Sequence, residues 1–235
     1  MMATIPVVLS CEHGGNQVPE PYRELFHGAE PALNSHRGWD PGAAELTRTL
    51  AERLRLPAHI ATTTRLLVDL NRSPNNPRRF SQWTSPLPVE QRELIMQRFY
   101  TPWRQAVELQ LKQAKAAHGK VVHLSIHSFT PIFNGEARNC DIGLLYDPKH
   151  HSEKRLAGHL RECLLAGMPT LRVRRNYPYT GIQDGFIARL RRHWPEREYI
   201  GIEIETSQAL YDRDDRDWMM VLVDAVESSL GSVDS

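Results

Sequence analysis

Cysteine is scarce in this 235-residue chain: Cys11, Cys140 and Cys163 are too few and too unevenly spaced for a disulfide framework, and no CxxC pair marks a structural zinc site. A reducing, cytoplasmic setting is the expectation. An excess of charge is missing too. Lys+Arg number 29 against 28 Asp+Glu, a formal net charge of +1, so there is no broad basic field to hold a nucleic acid. No apolar stretch approaches the roughly 20 residues that cross a bilayer, and the opening Met1 to Pro6 has no basic segment of the kind that starts a secretory leader. Repeats and linkers are also absent. With 40% hydrophobic and 24% charged residues, the chain predicts one soluble globular domain over residues 1–235 that binds neither a membrane nor nucleic acid.

What is present is an alternation of strand and helix patterns. Apolar runs predict strands at Val7 to Ser10, His59 to Leu70, up to His127, Asp141 to Tyr146, Leu171 to Arg174 and Tyr199 to Glu205. Helical spacing falls between them: from Asp40, with Asp as cap and Pro41 at the first helical position; from Val89 to about Ala117, with Pro102 as a kink or break; Glu153 to Ala166; Asp184 to Arg192; and Trp218 to Leu230. This order predicts an α/β fold with a mostly parallel, doubly wound sheet.

In such a sheet ligands bind outside the carboxyl ends of the strands, and polar residues gather at those ends here. Ile126-His127-Ser128-Phe129 closes one buried run, and Ser10-Cys11-Glu12-His13-Gly14-Gly15 closes another. Arg65, Asn71 and Arg72 lie on or just past a third. In Tyr199-Ile200-Gly201-Ile202-Glu203-Ile204-Glu205 the acidic residues alternate with apolar ones, so Glu203 and Glu205 share a face. A catalytic zinc site takes three ligands from His, Asp and Glu and leaves a position for water, with a carboxylate nearby to move a proton. His13 and His127 are the first two candidates. The third is Asp40 or Glu12, with Asp40 preferred because Glu12 and His13 are adjacent and point apart if the strand persists.

Taken in order, Ser10-Cys11-Glu12-His13-Gly14-Gly15, His36-Arg37-Gly38-Trp39-Asp40-Pro41-Gly42-Ala43, Arg65 to Arg72 and His127-Ser128-Phe129 resemble the N-formylglutamate amidohydrolase family over roughly Val7 to Tyr211. That family is similar to the zinc carboxypeptidases and aspartoacylase. The resemblance implies a mixed, mainly parallel sheet with helices on both faces, as in zinc exopeptidases. It implies Zn2+ held by His13, Asp40 and His127, Glu205 as general base, Arg65 polarising the scissile carbonyl, and Asn71 and Arg72 gripping a substrate carboxylate. The carboxypeptidase group takes its second ligand from an acid three residues after the first histidine, where this chain has Asn16. The implied reaction is hydrolysis of an N-acylated acidic amino acid, N-formyl-L-glutamate to formate and L-glutamate. Rival readings are a deacylase or peptidase for another N-acyl amino acid or small peptide, and a carboxylate-binding protein without turnover.

Overall fold

The structure is a computed structural model and describes residues 5–231, so the opening Met1 to Thr4 lies outside the described residues. In chain order the elements are β1 (Val7–Cys11), α1 (Glu30–Leu33), α2 (Ala43–Leu54), β2 (Ala58–Ile60), α3 (Val89–Ile95), α4 (Thr101–His118), β3 (Val121–Phe129), β4 (Ile132–Phe133) and β5 (Glu136–Ala137). They continue with β6 (Ile142–Leu145), α5 (His151–Gly167), β7 (Val173–Arg175), α6 (Phe186–Arg191), β8 (Tyr199–Ser207) and α7 (Asp217–Leu230). Six strands form one sheet in the order β2-β1-β3-β8-β6-β7. Every neighbouring pair is parallel except β6 with β8. The short pair β4–β5 stands apart as an antiparallel hairpin. The sheet is thus mixed and mainly parallel, as expected. Among the described residues no helix is long and apolar enough to cross a membrane.

Side chains alternate across a strand, and this chain uses the alternation to make two unlike faces. Val7, Leu9 and Cys11, Val122, Leu124 and Ile126, and Ile200, Ile202 and Ile204 all join the large core that α2, α5 and α7 cover. Each such aliphatic side chain contributes about 1.5–3 kcal/mol by leaving water. The odd-numbered partners on β3 and β8 and the even-numbered ones on β1 face α4 and α6. There Val8, Val121 and Tyr199 pack on Val107, Leu111, Phe186 and Leu190 near the strand starts. Farther along, the same face turns polar: Ser10 on β1, Ser125 and His127 on β3, Glu203 and Glu205 on β8, all buried. The apolar face supplies the adhesion that lets the other face bury charge.

Three sequence expectations are corrected. The run His59 to Leu70 is a strand only to Ile60; afterwards the chain leaves the sheet edge, and Leu66, Leu67, Val68 and Leu70 bury instead against Phe26, Phe80, Ile95 and Tyr100 in a second apolar cluster. Pro102 does not break its helix. A π-helical turn, Met96–Tyr100, joins α3 to α4 in one continuous run with Thr101 N bonded to Met96 O, so the irregularity that accompanies Pro102 is a widened turn just before it and not a break. Finally, Asp40 does not cap α2: Gly42 does, in a left-handed conformation with φ +85, which leaves the Asp40 carboxylate pointing elsewhere.

Candidate metal and active site

The switch in strand order falls between β1 and β3, whose neighbours run outward in opposite directions, and the polar cluster lies at their carboxyl ends. β1 stops at Cys11, so His13 is on a turn rather than a strand. The loop carrying Asp40 is tied to that turn by a hydrogen bond from Asp40 N to His13 O, 2.9 Å. Gly42 seats the loop under Tyr211: a Cβ there would lie 2.4 Å from the tyrosine ring. The Tyr211 hydroxyl is 2.8 Å from Thr206 Oγ1, which donates to His127 O, so the Asp40 loop, β8 and β3 are locked together. In the register, His127 sits opposite Glu205.

Three side chains converge. His127 Nδ1 is 2.8 Å and His13 Nδ1 3.3 Å from the same oxygen, Asp40 Oδ2. One ligand atom from each of His13, Asp40 and His127 lies within 4.8 Å of the others, and all three residues are buried. The other nitrogen of each ring faces an oxygen acceptor: His13 Nε2 is 2.7 Å from Asp69 Oδ1, and His127 Nε2 is 2.9 Å from Ser125 Oγ and 3.3 Å from Glu12 Oε2. A neutral ring has one proton, and that nitrogen takes it. Two bare Nδ1 lone pairs then face one carboxylate oxygen, an arrangement that needs a cation: protons in the absence of metal, a divalent ion otherwise. Two imidazoles, one carboxylate and outer carboxylates on the ligand rings are the donor set of a catalytic zinc site. These residues fit the metal.

Electrostatics agree with that geometry. Burial works against charge on His127, but Asp40 and Glu12 beside it outweigh burial and raise its pKa well above the ordinary histidine value. His13 is raised in the same way, burial and Arg65 being outweighed by Asp69 and Asp40. Asp40 and Asp69 are buried yet held well below the usual carboxylate range by the histidines and Arg65 around them. Glu205 behaves oppositely. Burial, only partly offset by His127 and reinforced by Asp40 and Glu203, pushes it up to about 7, and its Oε2 is buried without a hydrogen-bond partner. Glu203 on the same face is also raised by burial.

A cavity of about 150 Å³ opens over this cluster, lined by His13, Asp40, His127, Glu203 and Glu205 together with Arg65, Asn71 and Arg72. Arg65 donates to Asp69 Oδ2 at 2.8 Å and Asp40 Oδ1 at 3.3 Å, which uses two of its five N–H groups. Asn71 accepts from Phe186 N through Oδ1 at 2.7 Å, leaving its amide N–H groups for a ligand. Arg72 donates to Asp184 O at 3.1 Å, and its side chain is about one-third exposed, at 35%. The structure therefore brings every one of these sequence candidates to one cavity. Glu12, the rival ligand, is elsewhere: fully buried behind His127, its oxygens taken by Ser10 and Ser125. Asn16 faces away and donates to Leu33 O and Asn34 Oδ1.

The pairing of Arg65 with nearby Asp69 is open to sequence reasoning, but the hold of Asp69 on His13 and the roles of Ser125 and Asp184 are not. An aspartate four residues from Arg65 carries no mark of contact with His13, 56 residues earlier. Tyr179, Thr180 and Gln183 complete the rim of the cavity.

Residues 5–212 match the N-formylglutamate amidohydrolase family profile. A solved gene product of Agrobacterium tumefaciens is 30% identical, with a TM-score of 0.83 and coverage of 99% of this chain and 93% of that one. The structure of N-formylglutamate amidohydrolase from Ralstonia eutropha is 18% identical, with a TM-score of 0.69 and coverage of 98% and 93%, a likeness of fold alone. No curated protein matches the sequence.

Proposed function

The chain belongs to the N-formylglutamate amidohydrolase family, and from that premise we propose that it is a zinc-dependent hydrolase of N-acylated acidic amino acids, with N-formyl-L-glutamate cleaved to formate and L-glutamate. The observation that carries this reading is the convergence of His13, His127 and Asp40 on one point beneath a cavity that Glu205 also lines. When bound there, zinc supplies Lewis acidity, lowering the pKa of water and polarising a carbonyl oxygen.

The chain's own residues do the rest. Asn71 and Arg72 bind a carboxylate of the substrate, the arginine through paired N–H donors, which selects an acidic amino acid without a basic surface. Arg65, anchored by Asp40 and Asp69, directs its remaining N–H groups to the oxygen of the scissile amide. Glu205 takes a proton from the attacking water as the water oxygen bonds to the carbonyl carbon. It then delivers that proton to the leaving nitrogen as the C–N bond breaks. A carboxylate near pH 7 in pKa is matched to both transfers.

The test is a hydrolysis panel of N-formyl, N-acetyl and dipeptide derivatives of Glu, Asp and neutral residues, with and without added zinc. Zinc-dependent release of formate from N-formyl-L-glutamate, above release from neutral analogues, is expected. Preference for an acetyl or peptide derivative overturns the substrate. Full turnover after exhaustive chelation, or no turnover of any derivative by zinc-loaded protein, overturns the reading itself.

A further inference from the structure

Behind His127, on the side away from the cavity, runs a chain of buried polar groups that the reaction above does not use. Tyr199 OH is 2.8 Å from His123 Nδ1, and His123 Nε2 is 2.7 Å from Ser10 Oγ. Ser10 Oγ donates to Glu12 Oε1 at 2.8 Å, and Ser125 Oγ donates to Glu12 Oε2 at 2.7 Å. Glu12, Ser10 and His123 are wholly buried and Ser125 nearly so.

The directions of these bonds follow from counting protons. Each serine has one O–H, and Glu12 takes it, so each serine oxygen accepts from the histidine facing it. His123 therefore carries its proton on Nε2 and accepts from Tyr199 through Nδ1. On the other branch, His127 carries a proton on Nε2, directed at Ser125 Oγ and Glu12 Oε2. Every donor points toward Glu12, which is why a carboxylate can stay ionised with no solvent contact.

We propose that Glu12, acting with Ser125, is a positioning residue for the metal: it accepts the Nε2 proton of His127, fixes the ring's rotation and holds Nδ1 on the point shared with His13 and Asp40. This rests on the zinc reading above. Glu12 touches neither substrate nor metal. Asp69 does the same for His13, so each histidine ligand is steered by an acid from outside the cavity: Asp69 from a loop, Glu12 from the end of β1. An amide at position 12 presents an N–H to one of the two branches, and one donor then meets another.

The experiment measures zinc affinity by chelator competition in the parent, Glu12→Gln and Ser125→Ala, together with the His127 Nε2 proton resonance of the zinc-loaded protein. In the parent that proton is expected downfield and slow to exchange. Glu12→Gln is expected to weaken zinc binding roughly 10–100-fold and to lose the resonance, while KM at saturating zinc stays at the parent value. A folded Glu12→Gln protein with parental zinc affinity, or a zinc-loaded parent with metal on Nε2 of His127, overturns the proposal. If Glu12→Gln does not fold, Ser125→Ala decides: a several-fold loss of affinity supports the role, and no change overturns it. A parent that binds no zinc at all defeats the metal reading instead, so the two failures are separable.

Discussion

Glu205 is where function and stability oppose each other, and Glu205→Gln measures the conflict. In the folded, metal-free protein its pKa is about 7 against an ordinary value of 4.5. Between those values the folded state holds a proton that the unfolded state has released, so stability falls as pH rises from 4.5 to 7. At 1.36 kcal/mol per pKa unit, ionised Glu205 costs about 3 kcal/mol above pH 7. Glutamine keeps the shape and removes the charge. In urea unfolding of metal-free protein, Glu205→Gln and parent should be close in stability at about pH 4.5, and the variant should be more stable by about 3 kcal/mol at about pH 8. Hydrolysis by the same variant, zinc-loaded, should fall by about 10²–10⁴. A stability difference that does not change with pH would refute the assignment of a raised pKa to this carboxylate. Retained activity would transfer the proton-moving role to Glu203.

Other outcomes follow from the same geometry. Asp69→Asn, which leaves His13 Nε2 without its carboxylate, should weaken zinc binding about 10–100-fold, or about 1.4–2.8 kcal/mol, in chelator competition. Zinc affinity measured against pH should decline toward acid starting above the ordinary histidine pKa, because His13 and His127 both hold protons more tightly than usual and must release them to the metal. Gly42→Ala, facing a left-handed φ and the Tyr211 ring, should lower the thermal midpoint and loosen zinc binding by displacing the Asp40 loop.

Much of the site was legible because the strand pattern itself carries it. The alternation through Ser125 and His127, and through Glu203 and Glu205, puts polar groups on one face and aliphatic ones on the other, and period-two geometry requires no tertiary information. The buried runs therefore fixed which residues stand at the carboxyl ends of β3 and β8. His59 to Leu70 shows the limit. Its apolar content is real, but whether Leu66, Leu67 and Val68 pair in a sheet or bury in a loop cluster depends on Phe26, Phe80 and Ile95 from distant segments. Asp40 shows another: Asp-Pro-Gly before a helix has the composition of a cap, and only the fold, which ties Asp40 N to His13 O, brings its carboxylate to the histidines.

The sequence by itself determined the α/β class, the two-faced strands and the residue types that gather at their ends, because these depend on local periodicity and on chemistry that a side chain carries wherever it lies. Tertiary structure alone decided which carboxylate joins His13 and His127. Glu12 and Asp40 are both acids near a candidate ligand, yet one sits behind His127 with its oxygens taken by Ser10 and Ser125, and the other lies between the two Nδ1 atoms. That choice rests on distances of a few ångströms between segments far apart in the chain, which no local pattern encodes.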